Sequence, residues 1–169
     1  MNLRPIIIFL LSLLLVAVLP FSSFAREWTL DRAHSNIYFS VDHIFSKIHG
    51  QFDDFTAQIT FDEKELNSSS FSFVVKSDSV NTNVAKRDKH LRSKDFFESD
   101  TYPEIRFVSS KIITKGYTSF DVAGTLSVKG KDYDFVLPLR LLGITGHPAV
   151  KGKDVIGFEA AFPLDRIAY

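Results

Sequence analysis

The chain of 169 residues predicts an all-β protein with one short helical insertion, on three observations. Apolar and polar residues alternate with a period of two along most of its length, the pattern of strands with one buried face. Residues 120–141 can be folded back on themselves as a hairpin whose two faces agree in character. Only one segment, 81–98, abandons that alternation for helical spacing.

The first 25 residues stand apart from the fold. Arg4 gives a positive start, Ile6 to Leu19 is an uncharged apolar run, and Pro20 breaks it. Ser23-Phe24-Ala25 then places small residues where a signal peptidase reads. This is the pattern of a secretory signal, and the run is short for a bilayer span. Residues 1–25 are read as a signal peptide and 26–169 as one domain, with no membrane anchor left after cleavage. The competing reading is an uncleaved N-terminal anchor.

Lys and Arg total 20 against 20 Asp and Glu, a balance that loses only Arg4 with the leader. Near-neutrality excludes the basic excess expected of a nucleic-acid binder. There is no cysteine, so an exported domain of this size must rely on its core rather than on disulfides. Of the 17 phenylalanines, only Phe9, Phe21 and Phe24 lie in the leader. Aromatics at that density mean either a full core or a lined cavity.

The strands follow in order. Ile37, Phe39 and Val41 alternate with Tyr38, Ser40 and Asp42. Ala57, Ile59 and Phe61 alternate with Gln58, Thr60 and Asp62, whereas Phe52 and Phe55 are out of step by one, predicting a bulge near Asp53-Asp54. Phe71, Phe73 and Val75 form the next stripe, then Ile105 and Phe107. Ile156, Phe158, Ala160, Phe162 and Leu164 form the last. In the 120–141 hairpin, a turn at Gly130-Lys131 with glycine first pairs Val128 with Tyr133, Leu126 with Phe135, Gly124 with Leu137, and Val122 with Leu139. Gly124 then lies mid-strand on the apolar face, where a missing side chain makes room for a neighbour or a ligand. Many short antiparallel strands suggest a sandwich or a barrel, and the length of segments 116–129 and 131–142 favours the barrel.

Within 81–98, Asn81 or Thr82 is a candidate N-cap, and Val84, Arg87, Asp88 and Leu91 fall at i, i+3, i+4 and i+7. A short helix would turn Val84 and Leu91 inward with Arg87 and Asp88 between them. Buried charges need partners, so these two either pin the helix to nearby backbone or meet a ligand's polar end. Lys86, Lys89, His90 and Arg92 would flank Arg87 in the second role. The stretch 96–103 closes the excursion, Pro103 barring further helix.

Other chemistry is poorly represented. His34, His43 and His49 share one region, but there is no HExxH, no cysteine and no histidine pair at helical spacing, so zinc is disfavoured. There is no G-x-S-x-G elbow, and Asp53-Asp54 fits a turn better than a glycosidase pair. No cofactor is expected. The rival from the enzyme class is a metal-dependent hydrolase using His34, His43 and Asp88. A second rival is a solid β-protein that binds only protein partners.

Five stretches carry a resemblance: "WTLDRAHSNIYFSVDH", "GQFDDF", "SVNTNVAKRDKHLRSKDFFESDTYPEIRF", "GTLSVKGKDYDFVLPL" and "GFEAAFPLDR". Together they resemble the YceI-like, polyisoprenoid-binding family over nearly the whole of residues 28–166. The resemblance implies a lipocalin-like antiparallel barrel, exported to the periplasm, that encloses a long isoprenoid or a similar amphiphile such as a quinone-like lipid. It also implies that the helical insertion plugs or rims the barrel. On that reading Ile37, Phe39, Val41, Phe61, Phe71 and Phe73 line the ligand's tail. Val75, Phe107, Val122, Leu126, Phe135 and Phe158 continue the lining, and Arg87, His90 and Leu91 belong to the rim. Members of the family continue past the "DR" position with a further strand-forming stretch, whereas this sequence stops at Tyr169, so the barrel is expected to close incompletely. A homodimer is the assembly considered.

Overall fold

The computed structural model describes residues 25–165. Residues 1–24, and with them the signal-peptide reading, lie outside the described residues, as do 166–169. The described chain runs β1 (Arg26–Trp28), β2 (Ile37–His43), β3 (Ser46–Phe52), β4 (Phe55–Phe61), β5 (Ser70–Lys76) and β6 (Val80–Asn81). Helix α1 (Ala85–Leu91) follows, then β7 (Glu104–Thr114), β8 (Ser119–Val128), β9 (Lys131–Gly146) and β10 (Asp154–Ala160).

Seven strands, in the order β1-β4-β5-β7-β8-β9-β10, curl into a nearly closed antiparallel barrel with an unsealed seam. A smaller sheet, β2-β3-β6, joins it where β3 leads into β4. The seam has a simple origin. Antiparallel pairing at each step of a seven-stranded meander leaves its first and last strands running the same way. An all-antiparallel barrel closes only on an even strand number, so β1 and β10 remain edges. Arg26 of β1 bridges to Asp154 of β10, Nη1 to Oδ2 at 2.6 Å, and ties the two edges by side chains alone.

The inner face of the barrel is the apolar face read from the alternation. Phe61, Phe71, Phe107, Phe120, Val122, Leu137, Leu139 and Leu141 are buried together. Gly124 sits among them because a Cβ there would stand 2.8 Å from the Phe107 ring and 2.3 Å from the Val108 carbonyl oxygen. The neighbour that needed its room is therefore Phe107. A register shift between Ser109 and Lys111, opposite Gly124 and Ala123, bends the sheet at the same place.

Three local expectations are corrected. The β8–β9 turn is Lys129-Gly130, both with positive φ (49° and 72°), so the register is Leu126 with Tyr133, Gly124 with Phe135 and Val122 with Leu137. The slip from the expected pairing is two residues, one full period, so every side chain keeps its predicted face. At Asp53-Asp54 there is no bulge within a strand; the chain passes from one sheet to the other there, which is why Phe52 and Phe55 are out of step. Val84, expected to point inward, is 45% exposed, because it lies just before α1 with extended backbone (φ −134°, ψ 98°).

Candidate functional site

Along the barrel axis the inner face changes character. At the end holding the 62–69 and 115–118 loops it is solid. Phe61 packs against Phe71, Phe120 and Phe158 with ring centroids 5.9, 5.6 and 5.1 Å apart, and Phe71 meets Phe158 at 5.4 Å. Val122 is fully enclosed. Trp28 closes the edge by donating its indole N–H to the Phe61 carbonyl at 3.1 Å. Of the residues expected to line a ligand, Phe61, Phe71, Phe107 and Val122 belong to the buried core cluster, and Val75 is buried as well. Two open hollows, of about 310 and 500 Å³, lie around Phe120 at this same end and not within the barrel.

Higher up, a band of inward residues is only half-buried: Ala57 and Ile59 of β4, Phe73 of β5, Ile105 of β7, Leu126 of β8, and Tyr133 and Phe135 of β9. Their registers make them neighbours. Ala57 pairs with Phe73, Phe73 with Phe107, Phe107 with Leu126, and Leu126 with Tyr133. The Phe71, Phe73 and Phe107 rings lie near-parallel in steps of 6.4 and 6.2 Å, and Phe107 meets Phe135 edge-on. Phe162, just beyond β10, reaches in to contact Phe135 at 5.1 Å while remaining 42% exposed. The band is an apolar surface that the protein's own packing leaves partly uncovered.

The β2–β3 hairpin extends this surface beyond the barrel. Ile37, Phe39 and Val41 pair with Phe52, Gly50 and Ile48 and share one face with them. Gly50 makes room there for the Phe39 ring, whose tip would otherwise stand 2.3 Å from a Cβ. Phe39 touches Phe52, and Phe52 touches Phe97 of the excursion, each at 5.6 Å. Val41, at the outer end, is 49% exposed. Phe52 and Phe97 were not among the sequence-derived lining residues; the out-of-step position of Phe52 was the available signal.

The excursion is latched by its charges. Asp88, buried near the start of α1, accepts from the Thr82 backbone N–H at 2.9 Å and from the Thr82 hydroxyl. Arg87 donates from Nε to Thr82 Oγ1 at 2.7 Å and from Nη2 to the Thr82 carbonyl at 2.9 Å. No N-cap side chain bonds the helix, so this reach back from within its first turns replaces the expected Asn81 or Thr82 cap. Arg92 grips the carbonyls of Asp78 and Val80. Val80 is completely buried beneath. His90 faces solvent against Asp95 (3.1 Å) and Phe96, and Leu91 is half-buried. Exposed Lys86, Lys89 and Lys94 share this rim with exposed Asp95 and Asp100.

Two further electrostatic pins hold the wall beneath the rim. Glu104 bridges Lys76 and Arg106, and these partners hold its carboxyl below the ordinary range, while Lys76 is held above its own. Asp53 accepts from Gln51 and Asn81, which lowers its carboxyl likewise and fixes the bend between the sheets.

The residues of the hydrolase reading do not converge. His34 pairs with Asp31 at 2.8 Å in the β1–β2 loop. His43 lies at the hairpin tip, whereas Asp88 is engaged with Thr82, which follows the β6 residue paired to Gln51. No group of three or more His, Cys, Asp or Glu suited to a metal ion occurs among the described residues.

Barrel, apolar inner band and the excursion at one end define a protein of the calyx type, in which a nearly closed strand wall turns its apolar face inward. The family follows from comparison: the YceI-like domain model matches residues 28–169, and the chain belongs to that family. A UPF0312 protein of Vibrio parahaemolyticus is 34% identical over 144 residues, covering 83% of this chain and 76% of the relative. Protein YceI of Shigella flexneri is 34% identical over 142 residues, covering 82% and 73%. Among solved structures, the YceI protein of Campylobacter jejuni superposes with a TM-score of 0.63 at 33% identity, covering 79% of this chain and 77% of that one. Burkholderia cenocepacia BcnA superposes with 0.65 at 27% identity, covering 67% and 71%.

Proposed function

We propose that this protein is a non-enzymatic periplasmic carrier that holds an isoprenoid or quinone-like lipid by its tail. The observation that carries the proposal is the half-buried band from Ala57 to Phe135, an inner apolar wall left accessible beside an unsealed seam. A hydrocarbon chain laid along it would complete the burial that the filled end achieves with the protein's own rings. The resemblance of the sequence to a polyisoprenoid-binding family points to the same ligand class.

The energetics favour recognition by the tail. Each isoprene unit, fully buried, contributes on the order of 4 kcal/mol at about 0.8 per carbon, much of it offset by ordering of the flexible chain. The head group then sets orientation, with the Lys86, Lys89 and Lys94 side of the rim suiting an anionic one. Arg87 contributes indirectly, by holding the excursion in place.

The test is gentle purification from the native compartment, solvent extraction and mass spectrometry. One class of amphiphile at near-stoichiometric amount is expected from the parent protein. Phe39→Asp and Phe73→Asp should lose it while remaining folded. Equal lipid retention by both folded variants, or no extractable lipid in the parent, would contradict the proposal.

A further inference from the structure

The β2–β3 hairpin ends on two large apolar side chains, Ile44 at 81% and Phe45 at 102% exposure. Pairing runs up to His43 with Ser46, so these two residues form the whole turn. Ile44 has φ 52° and Phe45 is not in the positive region, the pattern of a turn whose first position suits glycine. A β-branched residue there is strained. Nothing in the folding of the hairpin calls for Ile-Phe at this place, where Gly-Asn would turn the chain at lower cost.

The tip stands at the far end of the hairpin from the site. On the hairpin's apolar face the polar His43–Ser46 pair follows the turn, and the run Val41, Ile48, Phe39, Phe52 and Phe97 begins beyond it. Lys47 and Asp42, on the other face, neutralise each other at 2.6 Å. The turn is therefore a protruding apolar point, separated from the apolar face that leads to the rim by one polar pair.

We infer that the Ile44–Phe45 tip is a wedge that docks the protein on a lipid bilayer, the source from which the barrel draws its amphiphile; the second clause rests on the carrier function proposed above. Size decides for a bilayer. An aromatic side chain offers about 150–250 Å². The tip therefore falls well short of the roughly 800 Å² per partner of a stable protein interface. A bilayer accepts a small apolar wedge without a complementary pocket, and binding scales with the area inserted.

The experiment compares the purified protein with I44G/F45N and with F45S, using vesicles of equal parts phosphatidylethanolamine and phosphatidylglycerol. Co-sedimentation should fall about tenfold or more for the double variant and less for the single one. The melting temperature of I44G/F45N should hold or rise, because glycine relieves the turn. Binding of a water-soluble short-chain prenyl amphiphile, without vesicles, should be the same for all three. Unchanged vesicle association in the double variant, or none in the parent, would overturn docking. Equal loss of the soluble amphiphile would also overturn it, by making the tip part of the ligand site. Tip-dependent vesicle binding with no binding of the soluble amphiphile by any form would support docking and overturn the carrier function instead. A tip that captures a protein but no vesicles would refute the bilayer as occupant.

Discussion

The two halves of the barrel wall are built from the same kinds of residue and reach different ends. Near Phe61 the inward rings contact one another from β4, β5, β8 and β10, and the interior is full. Around Phe73, Leu126 and Phe135 the strands still turn apolar faces inward, yet those faces stay half-exposed. Phe158 makes much of the difference. It approaches both Phe61 and Phe71 from the edge strand and fills one end. Higher up, among the described residues, Phe162 is the ring that arrives from that side, and it covers Phe135 incompletely. An apolar face predicts burial; it does not say whether protein or ligand supplies the cover.

Phe61→Ala should have the largest effect. Its ring is 1% exposed, and removing it should cost about 3–5 kcal/mol in denaturant unfolding with or without ligand. Asp88→Ala comes next at about 2–3 kcal/mol, because the buried Thr82 N–H and hydroxyl lose their charged acceptor. Hydrogen exchange should show that loss in residues 82–99 and leave the Phe61 end protected.

Phe73→Ala sharpens the contrast from the other side. Its half-buried ring should cost roughly half as much stability as Phe61→Ala, yet lower the affinity for a prenyl amphiphile about tenfold. A stability loss equal to that at Phe61, with affinity unchanged, would erase the distinction between the two halves. Asp154→Asn, which weakens the exposed pair across the seam, should cost less than about 1 kcal/mol.

Acid offers a milder probe of the wall. The carboxyls of Glu104 and Asp53 are held below the ordinary values of 4.5 and 3.8 by their hydrogen-bond partners, so their contribution is fully present above those values. It should fade as pH falls below them toward the folded-state values. Lys76, raised above 10.5, contributes below that value and loses its contribution only as pH rises beyond it. Replacing Glu104 with Gln should flatten the acid limb of a stability-against-pH curve without touching neutral ligand binding.

Much of this was legible in the sequence because period-two patterning is robust. Even a turn placed one residue late, which slips the pairing by two, kept Val122, Leu126 and Phe135 on the correct face. Strand alternation likewise exposed Gly124 as a vacancy, though only the structure shows that Phe107 needs the room. The helix was found by spacing, but its capping was not. Asp88 reaches six residues back to Thr82, outside the usual capping pattern, and Arg87 turns to the same threonine. The division between filled and half-covered lining was invisible, because it depends on which strands face each other across the barrel. Phe61 and Phe73 look alike along the chain.

The central claim is that an apolar tail lies against the Phe73–Phe135 band and not in the Phe61 end. Aromatic-resonance NMR during titration with a prenyl amphiphile addresses it residue by residue. Saturable shifts concentrated at Phe73, Tyr133 and Phe135, with Phe61 and Phe120 nearly still, are the expected result. Shifts centred on Phe120, or none within the barrel at saturating amphiphile, would contradict it.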